Sequence, residues 1–249
     1  MITRFRSDSA NTETQTIIVN NVGGGQEAGV SVGVHWHVDP NLEVHYRSDE
    51  SREFVHEIET IYPDGSHKIF RRQVAEGDPP AESERTMDCI DCHNRPTHVY
   101  LLPEEAVDGV LRLGVLSRDL PFIRREGLAA ITADYASHDE AREGIASHIS
   151  GFYADSFPAL AADRTHAIDE AIATLQEIFV TNVFPQMNVT WGTYSDHLGH
   201  SGMAGGCFRC HNVAFEAEDG SKISADCELC HQIVAYERTA DEIELVVEE

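Results

Sequence analysis

Apolar and polar residues alternate along residues 30–38 with the period of two that is typical of a half-buried β-strand. The valines and Trp36 fall on one face of this stretch, and His35 and His37 fall on the other. The pattern therefore predicts a strand that presents two histidines side by side.

Three further stretches alternate in the same way, at residues 42–47, 53–62 and 67–74. Between the last two lies Pro63-Asp64-Gly65, where proline fixes φ and glycine tolerates a positive φ, which is the chemistry of a tight turn. We expect a small antiparallel sheet here.

From residue 103 to about 185 the apolar period changes to 3.6, which predicts helices. Pro103 can begin one helix and Gly114 can end it, Pro121 can open a second, and Ser137 with Glu140 forms a capping pair before a third. The apolar stripe of a fourth helix is Ile168, Ile172, Leu175, Phe179 and Val183. The acidic tail, residues 239–249, suggests a short strand through Ile243–Val247.

These patterns predict an α+β chain with a small antiparallel β segment, motif-bearing loops and a helical scaffold. The expected segments are 1–86, which is β-rich and ends in a Pro- and Glu-rich linker from residue 75; 87–102, around a first cysteine motif; 103–186, the helical scaffold; and 187–249, with two more motifs and the acidic tail.

Three copies of Cys-x-x-Cys-His stand at residues 89–93, 207–211 and 227–231, and they use all six cysteines. This spacing is the attachment signature of a c-type haem: two thiols bond to one porphyrin, and the adjacent histidine binds the iron. The attachment residues are Cys89, Cys92, Cys207, Cys210, Cys227 and Cys230, and the proximal iron ligands are His93, His211 and His231. The sequence predicts three covalently bound haem c groups.

A structural zinc module is the alternative reading, because residues 211–226 separate two cysteine pairs by a zinc-ribbon spacing. Zinc gives no reason for a histidine after every pair, and it leaves the pair at Cys89 and Cys92 without a partner pair.

The sixth iron ligand decides what a haem does: two histidines give an electron carrier, whereas an open position permits substrate chemistry. The chain has 14 histidines and four methionines, so supply favours bis-histidine ligation. The distal candidates are His35 or His37, His98, and one of His197 and His200, with Met87 and Met203 as weaker alternatives.

The formal charge is −25, from 18 basic and 43 acidic residues. Nucleic acid and anionic membranes are therefore poor partners, whereas a basic redox protein is compatible. No apolar run is long enough to span a bilayer, and Met1–Asn20 lacks the apolar core of an export signal. Because haem is attached outside the cytoplasm, we expect a periplasmic or extracellular protein whose natural start lies upstream or has been removed.

The run from Met87 to His98, with Cys-x-Asp-Cys-His-Asn-Arg-Pro-x-His, resembles a signature of the NapC/NirT-type multihaem c-type cytochromes. Other landmarks of that group are Val34-His35-Trp36-His37, the 182–187 and 191–194 segments, and Gly206–His211. The resemblance spans about residues 20–235. It implies distal roles for His35, His37 and His98, and it favours His200 over His197.

Members of that group begin with a membrane helix and further attachment motifs, which this chain lacks, so membrane anchoring and quinol oxidation are not transferred. The resemblance implies a segment that works beside other haems, on another subunit, on another copy in an oligomer or filament, or upstream. We expect an electron carrier without catalysis of its own. The enzymatic alternative is a small reductase of the nitrite or hydroxylamine kind with one open haem.

Overall fold

The computed structural model describes residues 1–21, 33–94, 96–194, 196–200 and 205–247. The chain forms two compact units, each assembled from separate segments. The helical unit comprises Met1–Ile17, His98–Tyr194 and Val234–Glu249, and the motif unit comprises Ile18–Thr97 and Ser195–Ile233. All three attachment motifs fall in the motif unit.

The described elements are helices and antiparallel strands, which is compatible with the predicted α+β class. The strands are β1 Ile2–Phe5, β2 Glu13–Asn20, β3 Glu43–Ser48, β4 Val55–Ile61, β5 His67–Arg72, β6 Ser83–Thr86, β7 Phe215–Ala217 and β8 His231–Arg238. The α-helices are α1 Cys89–Cys92, α2 Pro103–Arg112, α3 Ile123–Ile131, α4 His138–Ser156, α5 Pro158–Asp163, α6 Thr165–Asn182 and α7 Ala240–Val247. Short 3₁₀ helices cover Val34–Val38, Pro185–Met187, Gly206–Arg209 and Cys227–Leu229.

The motif unit contains a five-stranded antiparallel sheet in the order β6-β3-β4-β5-β7. Its strands β3, β4 and β5 confirm the alternation read at 42–74. The predicted linker proved partly wrong, because its last four residues form β6 and pair with β3. Strand β7 was also not predicted, since its three residues carry too short a pattern.

The predicted strand at 30–38 is wrong where the structure describes it. Val34–Val38 is a 3₁₀ helix, preceded by Gly33 at φ +76°. With three residues per turn, His35 and His37 do not share a face. A tertiary contact overrides the local preference for a strand: the Val34 amide donates to the Asn21 carbonyl at 3.1 Å. Residues 30–32 lie outside the described residues.

A small apolar cluster lies against one face of the five-stranded sheet. Its buried members are Val44, Tyr46, Val55, Ile58 and Phe215, and Trp36, Met87 and Cys210 are among the partly buried residues packed on it. The first and second motif regions therefore rest on this cluster, since Met87 directly precedes the first motif and Cys210 belongs to the second.

The helical unit is built around a continuous apolar core that includes Leu111, Ile123, Ile145, Ile149 and Leu175, all fully buried. Helix α2 begins at Pro103, and α4 is capped by the Ser137 hydroxyl, which accepts from the Glu140 amide at 3.2 Å. The predicted starts of these helices are thus confirmed. The predicted stripe from Ile168 to Phe179 lies on α6.

One local prediction in this unit was wrong. The tail forms α7 rather than a strand, since the Glu242 carboxylate accepts from the Thr239 amide at 2.8 Å and caps a first helical turn. The N-terminal residues belong to the segment predicted to be β-rich, and they supply β1 and β2, which join β8 in a second sheet. Within the described ranges, no helix is both long and apolar enough to cross a bilayer.

Candidate haem sites

The first attachment motif is folded as a single helical turn. Helix α1 runs from Cys89 to Cys92, and the Asp88 carboxylate caps it by accepting from the Ile90 amide at 2.9 Å. The His93 amide donates to the Cys89 carbonyl at 2.8 Å. The turn thus brings two thiols and one imidazole together on a short stretch of backbone, as covalent attachment to one porphyrin requires.

The second motif has a similar turn, held from outside by a neighbouring loop. The His211 amide donates to the Cys207 carbonyl at 3.0 Å, and the Cys207 amide donates to the Gly199 carbonyl at 2.9 Å. Gly206 has φ +47°, and a Cβ atom there would lie 1.7 Å from the Gly199 oxygen. Glycine is therefore required immediately before Cys207.

The third motif is connected to the histidine turn by the main chain of one residue. The Asn21 amide donates to the Cys230 carbonyl at 2.8 Å, and the Asn21 carbonyl accepts from the Val34 amide at 3.1 Å. A Cβ on Gly33 would lie 2.2 Å from the same carbonyl oxygen. The Val34–Val38 turn is thus held at a fixed position relative to the third motif.

Two imidazoles face each other beside the second motif. The Nε2 atoms of His37 and His211 are 3.3 Å apart, and their ring planes are nearly perpendicular. The other ring nitrogens are tethered: Nδ1 of His37 donates to the Val34 carbonyl at 2.9 Å, and Nδ1 of His211 donates to the Ser224 carbonyl at 2.8 Å.

This arrangement favours a cation between the two rings. A carbonyl only accepts, so each Nδ1 carries the proton and each neutral ring directs the Nε2 lone pair at the other. Burial lowers the pKa of His37, and the nearby His211 lowers it further, against the opposing effect of the Val34 hydrogen bond. The two tethered rings therefore fit one metal ion, whose imidazole bonds of about 2 Å each need only a small separation of the pair.

An arginine inside the second motif joins it to the first. Arg209 lies between the two cysteines and is only 9 % exposed. Its guanidinium donates to the carbonyls of Gly206 at 3.1 Å, Arg52 at 2.6 Å and Asp91 at 3.0 Å. Since Asp91 lies between the cysteines of the first motif, this side chain fixes the spacing of two attachment loops.

Asp91 is buried, with 1 % exposure, and is held by several donors. Its carboxylate accepts from the Tyr46 hydroxyl at 2.5 Å, the Asp88 amide at 2.8 Å and Arg85 Nε at 3.2 Å. Burial alone would raise the pKa of Asp91, but these hydrogen bonds and the charge of Arg85 hold it below the ordinary value. Burial, with this carboxylate, raises the pKa of Tyr46 to about 12.

Four of the six motif cysteines are partly buried, and Cys89 and Cys227 are exposed. Burial raises the pKa of Cys210 to about 11, with the charges of Arg209 and Arg72 opposing the shift. Burial also raises the pKa values of Cys92, Cys207 and Cys230, and the Cys207 thiol adds to the shift at the other two. These four thiols are therefore protonated at neutral pH, and they include at least one thiol from each of the three motifs.

A cleft of about 220 Å³ opens between the histidine turn and the first motif. His37 and Cys89 lie at its walls, together with Leu42, Val44 and Met87. The lining next to the first attachment cysteine is mixed, because the carboxylate residues Asp39, Glu43 and Asp88 complete it.

The other predicted ligands are placed differently. The rings of His200 and His231 lie 6.2 Å apart, so the third motif also has a second imidazole nearby. His231 Nδ1 is buried and has no hydrogen-bond partner among the described residues. His93 and His98 are exposed, and His98 belongs to the helical unit, where its ring packs at 4.2 Å on Tyr100. His35 lies on the same turn as His37.

His197 is engaged in hydrogen bonds instead of facing a motif histidine. It is 3 % exposed, its amide donates to Asn94 Oδ1 at 2.8 Å, and its Nε2 donates to Glu53 Oε1 at 2.8 Å. Met87 packs in the apolar cluster of the motif unit, and Met203 lies outside the described residues. Among these alternatives, His200 is thus better placed to act as a distal ligand.

One curated protein matches this chain in its sequence. The chain is 33 % identical over 239 residues to the cytochrome c-type protein ImcH of Geobacter sulfurreducens, an alignment that covers 92 % of this chain and 46 % of that protein. The chain is a relative of a c-type cytochrome. It spans about half the length of the protein that it matches. No family model and no solved structure matches it.

This relationship supports the haem reading of the three motifs over the zinc reading. A c-type cytochrome carries covalently bound haem, and each motif here supplies both thiols and a histidine for that linkage. Within the described ranges, no three His, Cys, Asp or Glu side chains converge as a ready metal site. The axial ligands and the number of haems stay predictions.

The residues that sequence reasoning missed are Asp91 and Arg209, which it treated as spacers between cysteines. A charged residue inside each of two neighbouring attachment motifs was the available signal. Its meaning depends on contacts more than a hundred residues apart in the chain, which a local pattern does not contain.

Proposed function

We propose that this chain is an electron-transfer segment of the multihaem c-type cytochrome kind, similar to the NapC/NirT group, which carries three covalent haems with histidine ligands. The observation that supports this most is the tethered pair His37 and His211 beside the second motif. When bound, haem iron supplies one-electron oxidation and reduction, and the chain holds, orients and shields it.

The attachment residues of the proposal are the six cysteines, and the proximal ligands are His93, His211 and His231. His37 is the proposed distal ligand at the second motif, because its Nε2 already faces His211. His200 is the proposed distal ligand at the third motif, because its ring lies 6.2 Å from the ring of His231. His35 and His98 are retained as candidates for the first haem or for a haem of a partner.

The linked arrangement of the motifs suits a relay of electrons. Arg209 joins the first motif to the second, and the third motif is joined to the turn that carries His37. Haems attached to such loops are held close together by the polypeptide. The acidic surface, at a formal charge of −25, favours a basic redox partner or another cytochrome subunit.

We place this relay in the periplasm or outside the cell, within a larger multihaem chain, complex or filament. The related protein is about twice as long as this segment, which agrees with a segment that works beside further redox groups. This part of the proposal concerns the partners and would be tested by the mass of the native particle.

The decisive experiment produces the full chain in a host that attaches haem c and measures its intact mass and its spin state. We expect three porphyrin additions and low-spin iron by electron paramagnetic resonance. His37→Ala should convert one haem to a high-spin species, whereas His45→Ala, a strand histidine that bonds Glu43, should not.

The outcomes separate the competing functions. Protein that retains zinc and takes up no haem would overturn the proposal. A high-spin signal in the unaltered protein that responds to nitrite or hydroxylamine would favour the reductase alternative. Unchanged spectra in His37→Ala would remove that residue from the ligand set.

A further inference from the structure

Residues 196–200 form a short segment that is fixed to the first two motifs. The His197 amide donates at 2.8 Å to Oδ1 of Asn94, which directly follows the first motif. The Gly199 carbonyl accepts at 2.9 Å from the amide of Cys207, which begins the second motif. Two contacts that are only two residues apart thus set the course of this segment.

The same segment ends at His200, whose ring lies near the third motif. The ring centroids of His200 and His231 are 6.2 Å apart, and the ring of Phe208 packs edge-on against His200 at 4.6 Å. Three residues span at most about 11 Å, so a shift of His197 also moves His200. The contacts that hold His197 therefore help to hold His200.

His197 is anchored by a buried hydrogen bond to a carboxylate. Its side chain is 3 % exposed, and its Nε2 donates to Glu53 Oε1 at 2.8 Å. Glu53 lies in the loop between β3 and β4, so this bond ties the segment to the five-stranded sheet. The same bond lowers the pKa of Glu53, against the opposing effect of burial, so the carboxylate is charged at neutral pH and the bond is charge-assisted.

This bond also separates the roles of the two histidines in the segment. Nε2 of His197 carries the proton that bonds Glu53, so this atom has no lone pair to offer to iron. His200 is exposed, and a haem bound at the third motif can reach it. His197 therefore serves as the anchor of the segment, and His200 serves as its ligand.

We propose that His197 and Glu53 are positioning residues for the third haem: their hydrogen bond holds residues 196–200 in the place from which His200 binds the iron. The inference rests on the proposed function and concerns one sixth ligand. Breaking the bond leaves a buried donor on His197 unpaired, which destabilises this position of the segment. His200 then spends more time away from the iron.

The test compares carbon monoxide binding to the reduced, haem-loaded full chain before and after Glu53→Leu. Carbon monoxide binds a six-coordinate haem only after the distal histidine leaves, so the binding rate reports the open fraction of that site. We expect binding to become about tenfold faster at one haem, as the loss of a hydrogen bond to a charged group implies, and to be unchanged at the other two. His200→Ala identifies this haem, because it should make the same haem high-spin.

Three further variants sharpen the test. His197→Phe removes the donor but keeps a ring, and it covers the case in which Glu53→Leu does not fold; it should accelerate binding at the same haem. Glu53→Gln keeps an oxygen that can accept from His197 and should restore most of the slow binding. Glu50→Leu changes an exposed carboxylate of the same loop, and as the matched control it should leave all three rates unchanged.

The results that would overturn the inference differ from those that would overturn the proposed function. A chain that takes up no haem refutes the function. Three low-spin haems with unchanged rates in Glu53→Leu and His197→Phe refute the positioning role alone. Equal acceleration at all three haems would show a general loosening of the motif unit, and three low-spin haems in His200→Ala would assign the ligand role to another residue; either result also refutes the inference.

Discussion

Leu111, Ile145 and Leu175 are fully buried in the helical unit, where apolar side chains pack on one another through α2, α3, α4 and α6. The motif unit buries Asp91, His197 and Arg209 and has a smaller apolar cluster against its sheet. The helical unit also buries polar side chains, among them Asp108, Glu126 and Asn182, so the two units differ mainly in the size of their apolar cores. The comparison teaches that the unit with the three motifs has the smaller apolar core of its own, and we expect it to gain more stability from a bound group.

The largest expected effect follows from removing haem attachment. Replacing all six cysteines by alanine should lower protection of amide protons at 43–72 strongly, because haem no longer adds apolar contacts to a small cluster. Residues 103–182 should keep their protection. Hydrogen exchange with mass spectrometry on the full chain measures both regions, and equal losses in the two would contradict the comparison.

A cavity in the helical unit should have the next largest effect. Leu175→Ala removes a fully buried side chain and should reduce the free energy of unfolding by about 2–5 kcal/mol. At temperatures below the unfolding transition, the haem absorption spectrum should be unchanged. Leu113→Ala is the control, since Leu113 is 70 % exposed, and thermal denaturation followed by circular dichroism gives the difference.

Cutting the connection between two motifs should have an intermediate effect. Arg209→Lys keeps the charge but cannot reach all three carbonyls, so at least one buried acceptor is left unpaired, at about 1–3 kcal/mol. We expect the free energy of unfolding to fall by this amount in a denaturant titration that is followed by haem absorbance. Arg142→Lys, at an exposed helical ion pair, should differ little from the unaltered chain, and a similar loss there would argue against the role of Arg209.

The smallest expected effect is a pH dependence of the motif unit. The hydrogen bond from His197 lowers the pKa of Glu53 below its ordinary value of 4.5, against the opposing effect of burial. The stabilisation is therefore present above pH 4.5 and is lost as pH falls through the lower folded value. Glu53→Gln should flatten the acid arm of the stability curve by up to about 1 kcal/mol, while Glu218→Gln should not.

The comparison also explains what could be predicted from the sequence. Helix starts at Pro103 and Ser137, and strands β3–β5, follow from local periodicity and capping. The candidate attachment cysteines and proximal histidines come from a five-residue motif, and their roles stay predictions. The Val34–Val38 turn could not be predicted from local periodicity, because Gly33 and the Asn21 carbonyl override an alternating pattern. The roles of Asp91 and Arg209 depend on neighbours that are distant in the chain.

Asn21 joins the third motif to the histidine turn through its main-chain amide and carbonyl alone. Replacing its side chain by any other residue except proline leaves both hydrogen bonds available, whereas inserting or deleting one residue shifts both at once. The sequence here is therefore restricted in length more than in side chain, and a one-residue change in length would displace the turn that carries His37 without altering any cysteine or histidine.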